Sequence, residues 1–180
     1  LDVSFQNEPV PLGKNRQRTV LATLLLDANR PVSVGRLVEA VWGGRPPKTA
    51  PEQIQTCIWR LRRTLACTEA TPDPIQTTPS GYIMRVSAEQ LDATLFERLV
   101  QEAKGIADTG VPSAAAERYR AALCLFTGPV LGEISTPLVQ SVAAFWEERR
   151  LTALEECFDQ ELAGGQTVEL VDELTSLVRQ

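Results

Sequence analysis

Apolar residues change their spacing several times along this chain of 180 residues, and each change marks an element. Leu1, Val3 and Phe5 alternate, as do Val10 and Leu12, with Gln6-Asn7-Glu8-Pro9 between them. That pattern predicts a β-hairpin ended by Gly13. From about Asn15 to Ala28 the spacing turns helical, with Val20, Leu21, Leu24 and Leu25 inward, until Asn29-Arg30-Pro31 breaks it. Ser33 is suited to cap a second helix, Val34 to Trp42, that buries Leu37, Val38 and Val41. Gly43-Gly44-Arg45-Pro46-Pro47 is a loop. A third helix is predicted from about Pro51 to Ala66, where Ile54, Ile58, Leu61 and Leu65 form one inward row. Ile75-Gln-Thr-Thr and Tyr82-Ile-Met-Arg-Val then flank Pro79-Ser80-Gly81 as a second hairpin. Three helices followed by a hairpin is the order of a winged helix-turn-helix.

After Ser87 only helical periods remain. They predict helices from about Leu91 to Asp108 (Leu95, Leu99, Ala103 and Ile106 inward) and from Ser113 to Phe126 (Tyr119, Ala122, Leu123 and Phe126 inward). A long helix from Leu138 to Ala163 carries Val142, Trp146, Leu154, Phe158 and Leu162, and a further one runs from Val168 to Val178. Helix pairs joined by short Gly/Pro loops suggest a tetratricopeptide-like stack. The expected fold is therefore mainly α: a winged-helix domain over residues 1–87 and an all-helical domain over 88–180.

Charge divides at the same place. Residues 1–86 hold eleven Lys/Arg against seven Asp/Glu, whereas residues 87–180 hold seven against sixteen. A basic half beside an acidic half points to a polyanion-binding module attached to something that is not one. The chain has no histidine, which excludes Ser-His and Cys-His catalysis and the common zinc spacings. It also has no GxxxxGK[ST] and no GxSxG, so no enzyme is expected. Cys57, Cys67, Cys124 and Cys157 are widely spaced with no CxxC among them. They read as buried or idle thiols, without metal or cofactor, in a reducing cytoplasm. No apolar run approaches the roughly 18 residues a membrane span needs, and no signal peptide is recognisable. The chain opens on Leu1 and stops within a helical pattern at Gln180, so neither end is expected to be a natural terminus.

The third helix carries the candidate chemistry. With its Ile/Leu row inward, geometry turns Gln53, Gln55, Thr56, Trp59, Arg60, Arg62 and Arg63 outward in varying degree. Gln and Arg pair bidentately with adenine and guanine edges, each good pair giving about 1–3 kcal/mol of discrimination. Arg62 and Arg63, further along, suit phosphates. In the second hairpin the hydroxyls of Thr77 and Thr78 could meet the sugar-phosphate backbone, while Tyr82 is expected to pack on the third helix. Arg36 and Lys48 are further phosphate candidates, and the helix starts at Asn15, Arg16, Ser33 and Val34 offer backbone N–H groups.

The segments LGKNRQRTVLATLLLDANRPVSVGRLVEAVWGGRPPKTA, QIQTCIWRLRRTL and TTPSGYIMRV resemble the OmpR-type winged helix of the Streptomyces antibiotic regulatory proteins. LDATLFERLVQEAKGIADTG, SAAAERYRAALCLFTGPVLGEI and EERRLTALEECFDQELAGGQTVELVDEL resemble the bacterial transcriptional activation domain of the same family. The resemblance spans essentially the whole chain. It departs from the family pattern in four places: the opening strand before LDVSF is absent, the activation domain stops before its final helices, Leu125-Phe126 replaces Leu-Trp, and Trp59 stands where a small or polar residue is usual. Trp59 thus either alters base preference or packs on sugar.

The resemblance implies an activator of antibiotic or other secondary-metabolite gene clusters that binds promoter direct repeats and recruits RNA polymerase. It implies Gln53, Thr56, Trp59, Arg60 and Arg63 as the reading positions, with Thr77 and Thr78 in the wing. The loop Gly43 to Thr49, with Gly44, Arg45 and Pro46 at its centre, would face polymerase and its sigma factor. The acidic helices would touch polymerase and a neighbouring protomer, in a cytoplasmic, nucleoid-associated protein. A lone winged helix buries only about 600–1,000 Å² on DNA, so a tandem homodimer on a repeated site is expected. Two other readings follow from the same residues: a protein-interaction scaffold whose winged helix does not bind DNA, and the regulatory front of a larger ATPase-containing regulator.

Overall fold

The computed structural model describes residues 1–5, 8–65, 73–132, 134, 136–165. These residues form two compact units. Among the described residues, one unit comprises 1–87 with 129–144, the other 88–128 with 145–165.

In the first unit, β1 (Ser4–Phe5) pairs antiparallel with β2 (Glu8–Pro9). Three helices follow: α1 (Asn15–Leu26), α2 (Val34–Trp42) and α3 (Ala50–Leu65). The start of α1 is closed by Gln17, whose side-chain oxygen accepts the Lys14 N–H at 3.2 Å. Ser33 caps α2 as its residue type predicts, accepting the Arg36 N–H at 3.1 Å. Buried Thr23, a polar residue inside α1, is satisfied by donating its hydroxyl to the Thr19 carbonyl at 2.8 Å.

Strands β3 (Ile75–Thr78) and β4 (Gly81–Met84) form the second hairpin, with Ile75 opposite Met84 and Thr78 opposite Gly81. Its second strand also pairs with the link between α1 and α2. The Val32 N–H donates to the Tyr82 carbonyl at 2.8 Å, and the Tyr82 N–H returns a bond to the Val32 carbonyl at 2.9 Å. One core holds all of this together, built from Val20, Leu21, Leu24, Leu37, Ile54, Ile58, Leu61, Ile75 and Tyr82 among others. Ile134 and Val139 bury against Ala22 in a small satellite cluster of the same unit.

In the second unit, α4 (Asp92–Asp108) and α5 (Pro112–Leu123) are joined by a short turn, and α6 (Pro137–Ala163) supplies its residues from 145 onward. Phe96 anchors this core. It is buried on the face that also holds Leu99, Val100 and Ala103, and its ring meets Phe126 and Trp146 edge-on at centroid distances of 5.1 and 6.2 Å. Leu162, expected inward, is half exposed, while Ala153 and Cys157 take the buried positions on α6. The helix expected over Val168 to Val178 lies outside the described residues, as does Cys67.

Candidate nucleic-acid interface

The inward row of α3 is as its spacing requires: Ile54, Ile58, Leu61 and Leu65 are all buried, joined by Cys57. Burying aliphatic side chains of this size contributes about 1.5–3 kcal/mol each, which fixes the rotation of the helix about its own axis. Gln55, Thr56, Trp59, Arg60 and Arg63 are consequently in solvent, and Gln53 and Arg62 sit half-buried at the margins. Trp59 is 58% exposed, an indole with no core to cover it. Its ring lies under the Arg63 guanidinium, 5.7 Å from centroid to carbon, so the two form one flat cationic surface. Thr56 returns its hydroxyl to the Glu52 carbonyl at 2.9 Å.

The basic side chains of this unit differ in what they face. Arg62 turns away from the exposed stripe toward the wing hairpin: Nε and one Nη donate to the Ile75 carbonyl, the same Nη reaches the Thr77 hydroxyl, and Nε lies 2.8 Å from an Asp73 carboxylate oxygen. Arg36 pairs with Asp27 at 2.7 Å. Both cations are therefore already countered inside the protein. Arg85 donates to Gln76 and to the Asn29 carbonyl at the base of the wing. Lys48, Arg45, Gly44 and Pro46 are exposed in the segment between α2 and α3.

In the wing, Thr77 is engaged by Arg62, and the Thr78 hydroxyl lies 3.3 Å from that of Ser80. Tyr82 is buried in the core shared with α3, as its sequence context predicts. Gly81 is required where it stands. Its φ is +147°, and a Cβ there would strike the Val32 carbonyl oxygen.

By its place in the sequence Arg16 offers only a backbone N–H at a helix start. Its side chain in fact joins three helices. The guanidinium lies over the Trp42 ring of α2 at 5.3 Å from the centroid, and Nη1 donates to Gln53 Oε1 of α3 at 2.6 Å. The Gln53 amide nitrogen in turn donates to the Thr49 hydroxyl at 3.0 Å. A contact spanning 37 residues leaves no local signal in the sequence. Beneath this cluster, burial pushes the Cys57 thiol above its ordinary value, opposed by the charges of Arg60 and Arg16. Among the described residues, no group of three or more His, Cys, Asp or Glu side chains is placed to hold a metal ion, and no helix is long and apolar enough to cross a membrane.

Three helices, a wing fastened to the third, and an exposed Arg/Trp/Gln stripe on that helix define an OmpR-type winged helix, here followed by a separate helical domain. Residues 7–84 match the family described as transcriptional regulatory protein, C terminal, and residues 91–180 match the bacterial transcriptional activator domain. The chain belongs to the Streptomyces antibiotic regulatory protein family of transcription regulators. It is 32% identical over 184 residues to transcriptional regulator RedD of Streptomyces coelicolor, covering 100% of this chain and 52% of that protein. It is 34% identical over 171 residues to regulatory protein AfsR of the same organism, covering 94% of this chain and 17% of that one. A solved structure of Mycobacterium tuberculosis EmbR in complex with a low affinity phosphopeptide matches with a TM-score of 0.92 and 29% identity, covering 97% of this chain and 46% of that chain. The chain thus spans about half the length of RedD and of the EmbR chain, and a smaller part of AfsR.

Proposed function

We propose that this chain binds promoter DNA by seating α3 in the major groove, and activates transcription of secondary-metabolite (antibiotic) biosynthesis genes by recruiting RNA polymerase. The observation that carries the reading is the orientation of α3. Its aliphatic row is buried, so Gln55, Thr56, Trp59, Arg60 and Arg63 form an exposed stripe on a helix whose width fits the groove. Arg60 and the Trp59–Arg63 pair are the principal groups for base edges and backbone, with Lys48 and Thr78 at the flanks. Arg62 and Arg36, each held by a carboxylate, support the wing and α2 instead.

The exposed Gly44-Arg45-Pro46 segment suits contact with polymerase and its sigma factor. The acidic second half suits contacts with proteins better than contacts with DNA. One winged helix covers too little DNA for tight binding, so two protomers side by side on a direct repeat raise affinity through effective concentration. The work is done in the cytoplasm, on the nucleoid, without cofactor or catalytic step.

Footprinting of the promoters adjoining the gene tests the reading, with Arg60→Ala beside the parent chain. Protection of a direct repeat is expected, weakened in the variant together with a smaller salt dependence. An unchanged footprint in Arg60→Ala removes α3 as the reading helix.

A further inference from the structure

Arg16 differs from Arg36 and Arg62 in the partners that hold it. Arg36 and Arg62 each face a carboxylate within 2.8 Å. Arg16 is held by two neutral groups instead, the Trp42 ring and the Gln53 amide oxygen, and no carboxylate pairs with it among the described residues. A guanidinium has five N–H donors; one is taken by Gln53, and an aromatic face leaves the donors at the edge open. The charge is therefore positioned but not countered. Its position matters because Gln53 lies in the first turns of α3, on the same side as Thr56 and Arg60, three and seven residues on. The first turns of a reading helix enter the groove, so a cation held beside them lies close to the DNA backbone that flanks it.

Gln53 is correspondingly constrained. Its oxygen accepts the Arg16 bond at 2.6 Å and its nitrogen donates to Thr49 at 3.0 Å, so both ends of the amide are occupied. Bidentate pairing with adenine needs that same donor and acceptor free together.

We infer that Arg16 is a backbone-phosphate ligand for duplex DNA, aimed by Trp42 and Gln53, and that Gln53 is a positioning residue and not a base reader. The inference rests on the reading that α3 faces DNA. An arginine on the first helix thereby joins the interface across three elements, and the base-reading set contracts to residues from Gln55 onward.

The test is selection of duplexes from a random-sequence pool with the 180-residue chain, followed by salt titration of binding to the selected duplex. Arg16→Ala is expected to lower affinity for every sequence and to reduce the slope of log affinity against log salt by about 0.9, with the selected consensus unchanged. Arg16→Gln, read alongside with thermal melts, keeps a donor for Gln53 without the charge and is expected to show the same loss of slope. Gln53→Met is expected to lower affinity evenly, again with the consensus intact. A folded Arg16→Gln with the parental slope overturns the phosphate role, and a consensus that loses one position in Gln53→Met overturns the positioning role. If Arg60→Ala weakens binding while both Arg16 variants do not, this inference fails and the promoter-binding reading stands. If the parent chain selects no sequence and binds no duplex, both fail.

Discussion

Arg62 fastens α3 to the wing by giving two donors to one acceptor: Nε and an Nη both meet the Ile75 carbonyl, at 2.9 and 2.6 Å. The Asp73 carboxylate and the Thr77 hydroxyl occupy the remainder of that edge. A side chain whose spacing suggests a phosphate contact is thus the strut that sets where the wing stands relative to α3.

Arg62→Ala is expected to cost about 1–3 kcal/mol in urea unfolding, since it leaves the Ile75 carbonyl without its charged donors. Arg62→Lys should recover only part, because an ammonium cannot present two N–H groups in a plane. Amide exchange over β3 should accelerate in both variants. Parental stability in Arg62→Lys would show that charge alone, without the fork, holds the wing.

Two glycines should respond in opposite ways to one methyl group. Gly81→Ala forces a Cβ against the Val32 carbonyl at a φ of +147°, so a loss of about 1–3 kcal/mol or more is expected. Gly44→Ala meets nothing within 4 Å and should stay within about 0.5 kcal/mol of the parent. The same Gly44 variant then tests the proposed polymerase contact in a transcription assay without a folding artefact.

Legibility in the sequence followed the range of the interactions. The row Ile54, Ile58, Leu61, Leu65 is periodic within one helix, so the inward face of α3 and its exposed stripe could be read from spacing alone. Ser33 is similarly visible, because capping depends on neighbours a few residues away; Gly81 is legible as a turn residue, but the Val32 carbonyl that demands a glycine there lies far back in the chain. Arg62 and Arg16 were not visible, since their partners lie 13 and 37 residues distant and only tertiary packing brings them together. Phe96 shows the ambiguity of adjacent apolar residues: period favoured Leu95, and the larger ring took the centre while Leu95 packs at its edge. Leu162 met the opposite fate near the end of α6, where the inward period gives way and Glu161 is buried in its place.

That buried Glu161 is matched by Arg120, with Nε and Nη2 on its two oxygens at 2.7 and 2.9 Å. The two ends are unequally exposed, 8% for the glutamate side chain and 37% for the arginine. Arg120→Met, which leaves the carboxylate only the weak Cys157 thiol donor, is expected to cost about 3 kcal/mol. Glu161→Gln leaves a cation that water still reaches and should cost about 1 kcal/mol. Equal losses in thermal denaturation would contradict this ordering.

Alkaline stability provides a fourth test. Burial first, and then the adjacent Glu156 carboxylate, push the Tyr119 hydroxyl well above its ordinary value of 10.0, and burial raises the Cys57 thiol above 9.0. In both cases the unfolded chain releases its proton at lower pH than the folded one, so stability is full below those ordinary values and declines as pH climbs past them. Tm should fall progressively above pH 9.0 and more steeply above pH 10.0. Tyr119→Phe should flatten the upper part of that decline; an identical profile in the variant would assign it to other groups.

The pairing of Val32 with Tyr82 is made wholly by main-chain atoms, and this has an evolutionary consequence. The two hydrogen bonds do not depend on side-chain identity, whereas the Val32 and Tyr82 side chains are fixed separately by filling the core. The exposed tip residues Pro79 and Ser80 take no part in that fastening, so they can drift in sequence from one lineage to the next while the wing keeps its attachment.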